Sequence, residues 1–245
     1  MLRDNEQLDD LQIKGLEIIQ NKKKFRFGTD AVLLSSYAKI KPGGKCIDLG
    51  TGTGIIPLLL SAKTDAGEII GLEIQDDLCE MASRSVNFNN LGSRIKIVCG
   101  DIKNAPELFK KETFVNVVSN PPYMKNGSGF QSDEKSIAMS RHEIMCSIED
   151  IAIAAEYLLK DKGMLSMVHR PNRLVDVLSV LREHSLEPKT IRFVHPYAGK
   201  APNLFLINAQ KNTQPFLKIE DPLVMRRDDG EYTDEIYDIY GMERK

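Results

Sequence analysis

What the chain lacks narrows its function first. No CxxC pair occurs among its four cysteines, Cys46, Cys79, Cys99 and Cys146, and none of its four histidines falls in a metal-ligand spacing. Neither a metal site nor a disulfide framework is therefore expected, and the cysteines read as free thiols of a reducing cytosol. No apolar targeting segment follows Met1, and no uninterrupted apolar stretch reaches the roughly 20 residues that cross a bilayer. A cytoplasmic protein with no membrane partner is expected. The formal net charge of −2 supplies no global positive field, so any nucleic-acid contact has to come from a local patch. No internal repeat or low-complexity segment interrupts the 245 residues, a length that suits one substantial core.

What is present from residue 45 onward is an alternation of apolar runs with amphipathic ones, which predicts a mainly parallel sheet with helices on both faces. Strands are expected at Lys45–Leu49, Glu68–Leu72, Ile95–Cys99, Phe114–Ser119 and Met164–Val168, the last entered through a turn at Asp161-Lys162-Gly163. An antiparallel pair, Thr190–Val194 and Leu204–Asn208, closes the series. Helices are expected from about Ile55, at Asp76–Asn89, at Ile148–Leu159 and at Arg173–His184. The sequence divides into an N-terminal extension (1–44), a core (45–210) and a charged, weakly patterned C-terminal appendage of the same domain (211–245). In the extension, Leu16–Ile19 reads as a strand, and Thr29 or Asp30 as the cap of a helix running to about Lys39. Residues 124–145 are polar and aperiodic, the mark of a functional loop.

Chemistry concentrates at two strand ends. Asp48-Leu49-Gly50-Thr51-Gly52-Thr53-Gly54 places glycine at every second position between a strand and a helix. Such a loop turns tightly, lets a ligand approach the backbone, and presents helix N-terminal N–H groups to an anion. Its spacing differs from the dinucleotide fingerprint GxGxxG. Glu73 lies just past the second strand, where a carboxylate suits ribose hydroxyls. Asp101 follows the third strand and suits an adenine amino group, with Ile74 and Ile102 on either side of the ring. After the fourth strand comes Asn120-Pro121-Pro122-Tyr123, where two prolines stop the ladder at the edge at which open α/β sheets bind ligands. Asn120 and the Pro121 carbonyl are two acceptors for the protons of a planar NH2 group, and Tyr123 is a surface for its ring. The amino group of a base is a poor nucleophile, and two such acceptors favour its pyramidal, reactive form. No Pro-Cys nucleophile for cytosine C5 chemistry is present.

These motifs resemble the class I S-adenosylmethionine-dependent methyltransferases that act on amino groups. Phe25-Arg26-Phe27-Gly28-Thr29-Asp30-Ala31, Arg141-His142-Glu143 and Val194-His195-Pro196, with the chain length, are similar to the bacterial tRNA1(Val) (adenine(37)-N6)-methyltransferase family over nearly the whole sequence. Gly28 stands where that family commonly has serine, a small-for-small change. The resemblance implies a Rossmann-like seven-stranded sheet with an antiparallel C-terminal hairpin, S-adenosyl-L-methionine as cofactor, and tRNA as partner through an anticodon-loop adenine. It implies cofactor contacts from Asp48, Gly50, Thr51, Gly52, Gly54, Glu73, Ile74, Asp101, Ile102, Asn120, Phe27 and Asp30. It also implies a catalytic segment at Asn120–Tyr123, and substrate contacts from Tyr123, Arg141 and His142.

Phosphate contacts are expected from Arg170 and Arg173, just beyond the fifth strand. Lys22-Lys23-Lys24 with Arg26, Lys39 and Lys41 forms a second basic cluster. Glutamine N5 methylation of a release factor and guanine N2 methylation of rRNA remain open, as does a non-catalytic RNA-binding protein on the same fold. The oligomeric state is open too, with a monomer favoured.

Overall fold

The apolar runs leave no polar alternation along the central strands, as expected of a parallel sheet covered on both faces. A computed structural model, describing residues 2–22, 28–121 and 146–244, bears this out. Its elements are β1 (Glu6–Asp10), β2 (Glu17–Asn21), α1 (Thr29–Tyr37), β3 (Lys45–Leu49), α2 (Ile55–Lys63), β4 (Glu68–Glu73), α3 (Asp76–Phe88), β5 (Ile95–Cys99), α4 (Ala105–Leu108), β6 (Phe114–Ser119), α5 (Ile148–Leu158), β7 (Leu159–His169), α6 (Leu174–Glu183), β8 (Leu186–Tyr197), β9 (Leu204–Lys211), β10 (Lys218–Ile219), β11 (Leu223–Arg226) and α7 (Asp234–Tyr240). The main sheet runs β5-β4-β3-β6-β7-β9-β8 and then β10, with β11 also on β8. Only the β7–β9 and β8–β9 pairs are antiparallel. The seven long strands thus form the expected sheet with its antiparallel hairpin.

Adjacent residues of one strand serve opposite faces. Val118 packs with Val32, Leu58 and Leu206 under α1 and α2, while Val117 packs with Ile47, Ile151 and Phe205 under α5 and α6. Burying side chains of this size stabilises the fold by roughly 1.5–3 kcal/mol each. Among the described residues, no helix is long and apolar enough to cross a membrane, and no group of three or more His, Cys, Asp or Glu could hold a metal.

The structure departs from the sequence reading in five places. The N-terminal strand is one arm of a hairpin, Leu8 pairing with Ile19; the other arm, Glu6–Asp10, is too polar to announce itself. Neither Thr29 nor Asp30 caps α1, since Gly28 takes the N-cap position in extended backbone with no side-chain bond. The turn before the fifth strand lies within it: β7 starts at Leu159, Lys162 adopts φ +60°, and the register against β6 shifts between Phe114 and Asn116. The segment after Lys211 is not a loose appendage, because Leu223, Ile236 and Tyr237 are buried. Finally, Cys79 and Cys99 are paired with Cα atoms 5.8 Å apart, leaving Cys46 and Cys146 as the free thiols. The β4–α3–β5 unit sets the start of α3 against the end of β5, a closeness that a sequence separation of 20 conceals.

Candidate active site

Three consecutive positive-φ glycines make the loop after β3: Gly50 (+78°), Gly52 (+59°) and Gly54 (+84°). Residues with a Cβ are strained there, which explains the alternating spacing. A side chain at Gly52 would meet nothing within 4 Å, so the loop faces open space. The loop is fixed by its own amides. Gly50 N and Thr51 N donate to Leu72 O, both at 2.9 Å, and Gly54 N donates to Thr51 O at 3.0 Å. Gly52 N donates to Glu73 Oε2 at 2.9 Å. These four N–H groups are therefore engaged within the chain.

Glu73 is buried at the end of β4, where its Oε1 accepts from Gln75 N at 3.0 Å. Asp101 accepts from Lys103 N at 2.9 Å and so caps the short 3-10 turn after β5. Ser119 Oγ donates to Leu49 O at 2.9 Å, tying the ends of β6 and β3. These contacts converge on a cleft lined by Gly50, Glu73, Ile74, Asp101, Ile102, Asn120 and Pro121. Seven residues singled out in the sequence thus share one cavity.

Five further lining residues went unrecognised: Leu49, Leu72, Ser119, Cys146 and Ile151. The first three adjoin Gly50, Glu73 and Asn120, so their neighbours were the signal. Cys146 and Ile151 return to the cleft from a distant part of the chain, with no local mark. Burial pushes the Cys146 thiol up to about 12, assisted by Asp150 and Asp101, so it stays protonated.

Asp48 and Thr51 lie beneath the loop. Both Asp48 carboxylate oxygens and the Thr51 hydroxyl are buried; the two side chains face each other and have no other hydrogen-bond partner among the described residues. Burial first, and the nearby Glu73 carboxylate in addition, push Asp48 up to about 7. Asp30 is elsewhere: it sits in the first turn of α1 and does not line the cleft. Phe25, Phe27, Pro122, Tyr123, Arg141 and His142 lie outside the described residues.

On the far side of Asn120, Ser119 pairs with Met167, so Pro121 and His169 leave the sheet side by side. His169 is buried and its Nδ1 accepts from Arg170 N at 2.8 Å; burial pushes its pKa down to about 4, which keeps the ring neutral. Arg170 Nη1 donates to Asn203 O at 3.1 Å, and Arg173 Nε bonds Asp176 Oδ2 at 2.6 Å. Both cations stand beyond the cleft wall rather than in it.

Residues 11–188 match the family model described as "Methyltransferase small domain". The chain is 30% identical over 204 residues to the tRNA1(Val) (adenine(37)-N6)-methyltransferase of Porphyromonas gingivalis, covering 81% of this chain and 79% of that one. The chain belongs to this methyltransferase family. Among solved structures it resembles a predicted O-methyltransferase from Agrobacterium tumefaciens, with a TM-score of 0.72, 22% identity, and coverage of 87% and 96% of the two chains. It also resembles a geranyl diphosphate methyltransferase in complex with SAM, with a TM-score of 0.56, 13% identity, and coverage of 74% and 84%.

The cofactor of this methyltransferase is S-adenosylmethionine, which supplies an electrophilic methyl group. The residues present fit it. The open space over Gly52 admits the molecule against the backbone, and Glu73, Asp101, Ile74 and Ile102 line a cleft of mixed polar and apolar character suited to its nucleoside. The buried Asp48 carboxyl has no cationic partner among the described residues, and an amino acid ammonium would supply one.

Proposed function

We propose that this methyltransferase acts on N6 of an adenine in the anticodon loop of a valine tRNA, in the cytoplasm. The observation that supports this best is the position of Asn120. It ends the strand next to the glycine loop, and it lines the same cleft as Glu73 and Asp101. In this reading Glu73 accepts from the ribose hydroxyls of the cofactor, Asp101 accepts from its adenine amino group, and Ile74 and Ile102 flank the ring.

The target amine is held from the other side. The Asn120 carboxamide oxygen and the Pro121 carbonyl accept its two protons, which draws the nitrogen out of conjugation and frees its lone pair. Tyr123 is assigned to stack on the target ring, a contact worth roughly 1–3 kcal/mol per base. Arg170 and Arg173 hold phosphates near the cleft mouth. His169, neutral and buried beside Pro121, adds a wall without adding charge.

Radiolabelled methyl transfer tests the proposal. Total RNA, valine tRNA lacking the modification, and release factor are offered in parallel, followed by nucleoside analysis. Label recovered as N6-methyladenosine in the valine tRNA is the expected result. Label in glutamine or in N2-methylguanosine would replace this reading with another amino-group substrate.

A further inference from the structure

Among the described residues, one buried side chain outside the cleft has both its polar atoms unpartnered. Gln20 is fully buried, and neither its Oε1 nor its Nε2 has a hydrogen-bond partner. A primary amide with nothing to bond is costly inside a protein, and each such group calls for an explanation. The other described residues with orphaned buried oxygens are Asp48 and Thr51, both in the segment already placed against the cofactor.

The position of Gln20 relates it to that segment. Glu17 N donates to Asn89 Oδ1 and Ile19 N donates to Ser85 Oγ, each at 3.0 Å. The strand therefore runs along α3 toward the helix N-terminus, and two more residues bring it level with Met81 and Ala82. Gly54 rests on the same turn: a Cβ there would stand 3.1 Å from the Ala82 Cβ. By strand alternation Gln20 shares its face with Ile18, which packs in the cluster containing Val32 and Ile55. Its amide thus lies inside the fold, on the face that packs in the cluster containing Ile55, the first residue after the glycine loop.

The chemistry there is incomplete in a particular way. The amino acid end of S-adenosylmethionine carries an ammonium and a carboxylate. Asp48 and Thr51 offer acceptors to the ammonium, while the amides of Gly50, Thr51, Gly52 and Gly54 are engaged within the chain, so none of these four serves the carboxylate. A carboxamide has two N–H donors and an acceptor. We propose that Gln20 binds the amino acid end of the cofactor, its Nε2 donating to the carboxylate and its Oε1 accepting from the ammonium. This rests on the methyltransferase reading of the cleft.

The test compares two ligands that differ only at that end. S-adenosylhomocysteine keeps the amino acid, and 5′-methylthioadenosine keeps the nucleoside without it. Calorimetric titration of Gln20→Met is expected to show S-adenosylhomocysteine binding weakened by tenfold or more, since hydrogen bonds to charged groups are of that strength. Binding of methylthioadenosine is expected to stay within twofold of the wild type. Without ligand the variant is expected to melt at or above the wild-type temperature, because an unpaired amide has been removed. Gln20→Glu, which turns the donor into a second carboxylate, is expected to weaken S-adenosylhomocysteine further and leave methylthioadenosine alone. Unchanged S-adenosylhomocysteine affinity, equal loss for both ligands, or a lower melting temperature without ligand would each overturn the proposal. Wild-type protein that binds neither ligand would overturn the cofactor reading itself, a separate outcome.

Discussion

Along the carboxyl edge of the sheet, the β3–β5 half and the β6–β7 half are built by different means. In the first, the residues facing the cleft sit within three positions of a strand end and are held by backbone: Gly50 and Thr51 through Leu72, Glu73 through Gly52 and Gln75. The strands there are in register, Asp48 opposite Gly71 and Glu73 opposite Cys99. In the second half, Asn120 follows the last residue of β6 and His169 ends β7, and the cations Arg170 and Arg173 lean on surface partners. A rigid half suits a cofactor bound the same way in every turnover. A half made of strand tips and surface cations suits a macromolecule that has to arrive, be gripped and leave.

Substitutions can break that division. Asn120→Ala is expected to lower kcat for methyl transfer by about 10²–10³-fold, the usual cost of one preorganised polar contact to the reacting group, while S-adenosylhomocysteine affinity by calorimetry changes less than threefold. Equal losses in both would mean that Asn120 serves the cofactor half instead. Glu73→Ala should do the reverse. A loss of roughly ten- to a hundredfold in S-adenosylhomocysteine affinity is expected, with RNA affinity untouched in a filter-binding assay.

Asp48 sharpens the comparison through pH. Its folded pKa lies above its unfolded value, 3.8 rising to about 7, so the native state binds the proton more tightly than the unfolded chain does. Stability therefore falls as pH rises through that window, the opposite of an ion-paired carboxylate. Between pH 4 and 7 the melting temperature of the wild type is expected to drop by roughly 5–10 °C relative to Asp48→Asn. Parallel curves would show that Asp48 has a partner when the protein is in solution. The smallest effect is expected from the double variant Arg170→Gln/Arg173→Gln: severalfold weaker tRNA binding, and a log–log salt dependence shallower by roughly 1.5. An unchanged slope would remove both residues from the RNA interface.

The same division explains what was legible in the sequence. The glycine loop, Glu73, Asp101 and Asn120 could be read because each lies beside the strand that positions it, so local pattern and site coincide. Asp30 misled, because its place in the first turn of α1 resembles a cap while Gly28 takes that position. The Cys79–Cys99 pair, and the return of Cys146 and Ile151 to the cleft, depend on how distant elements stack, which no spacing records. Gln20 precedes the Phe25–Ala31 segment noted for its likeness to the family. Only its complete burial, with neither end of its amide bonded, distinguished it from an ordinary polar residue of a strand.

The short strands β10 and β11 carry a consequence beyond the site. They lie parallel along β8, pairing Ile219 with Ile191 and Leu223 with Val194, and Arg192 clamps Glu235 of α7 through two bonds of 2.6 and 2.8 Å. Without them the twelve-residue β8 would expose its outer row of N–H and C=O groups, a template for strands of other chains. The tail of the polypeptide thus acts as a guard against sticking. Loss of those strands would leave that row open to pairing with other chains.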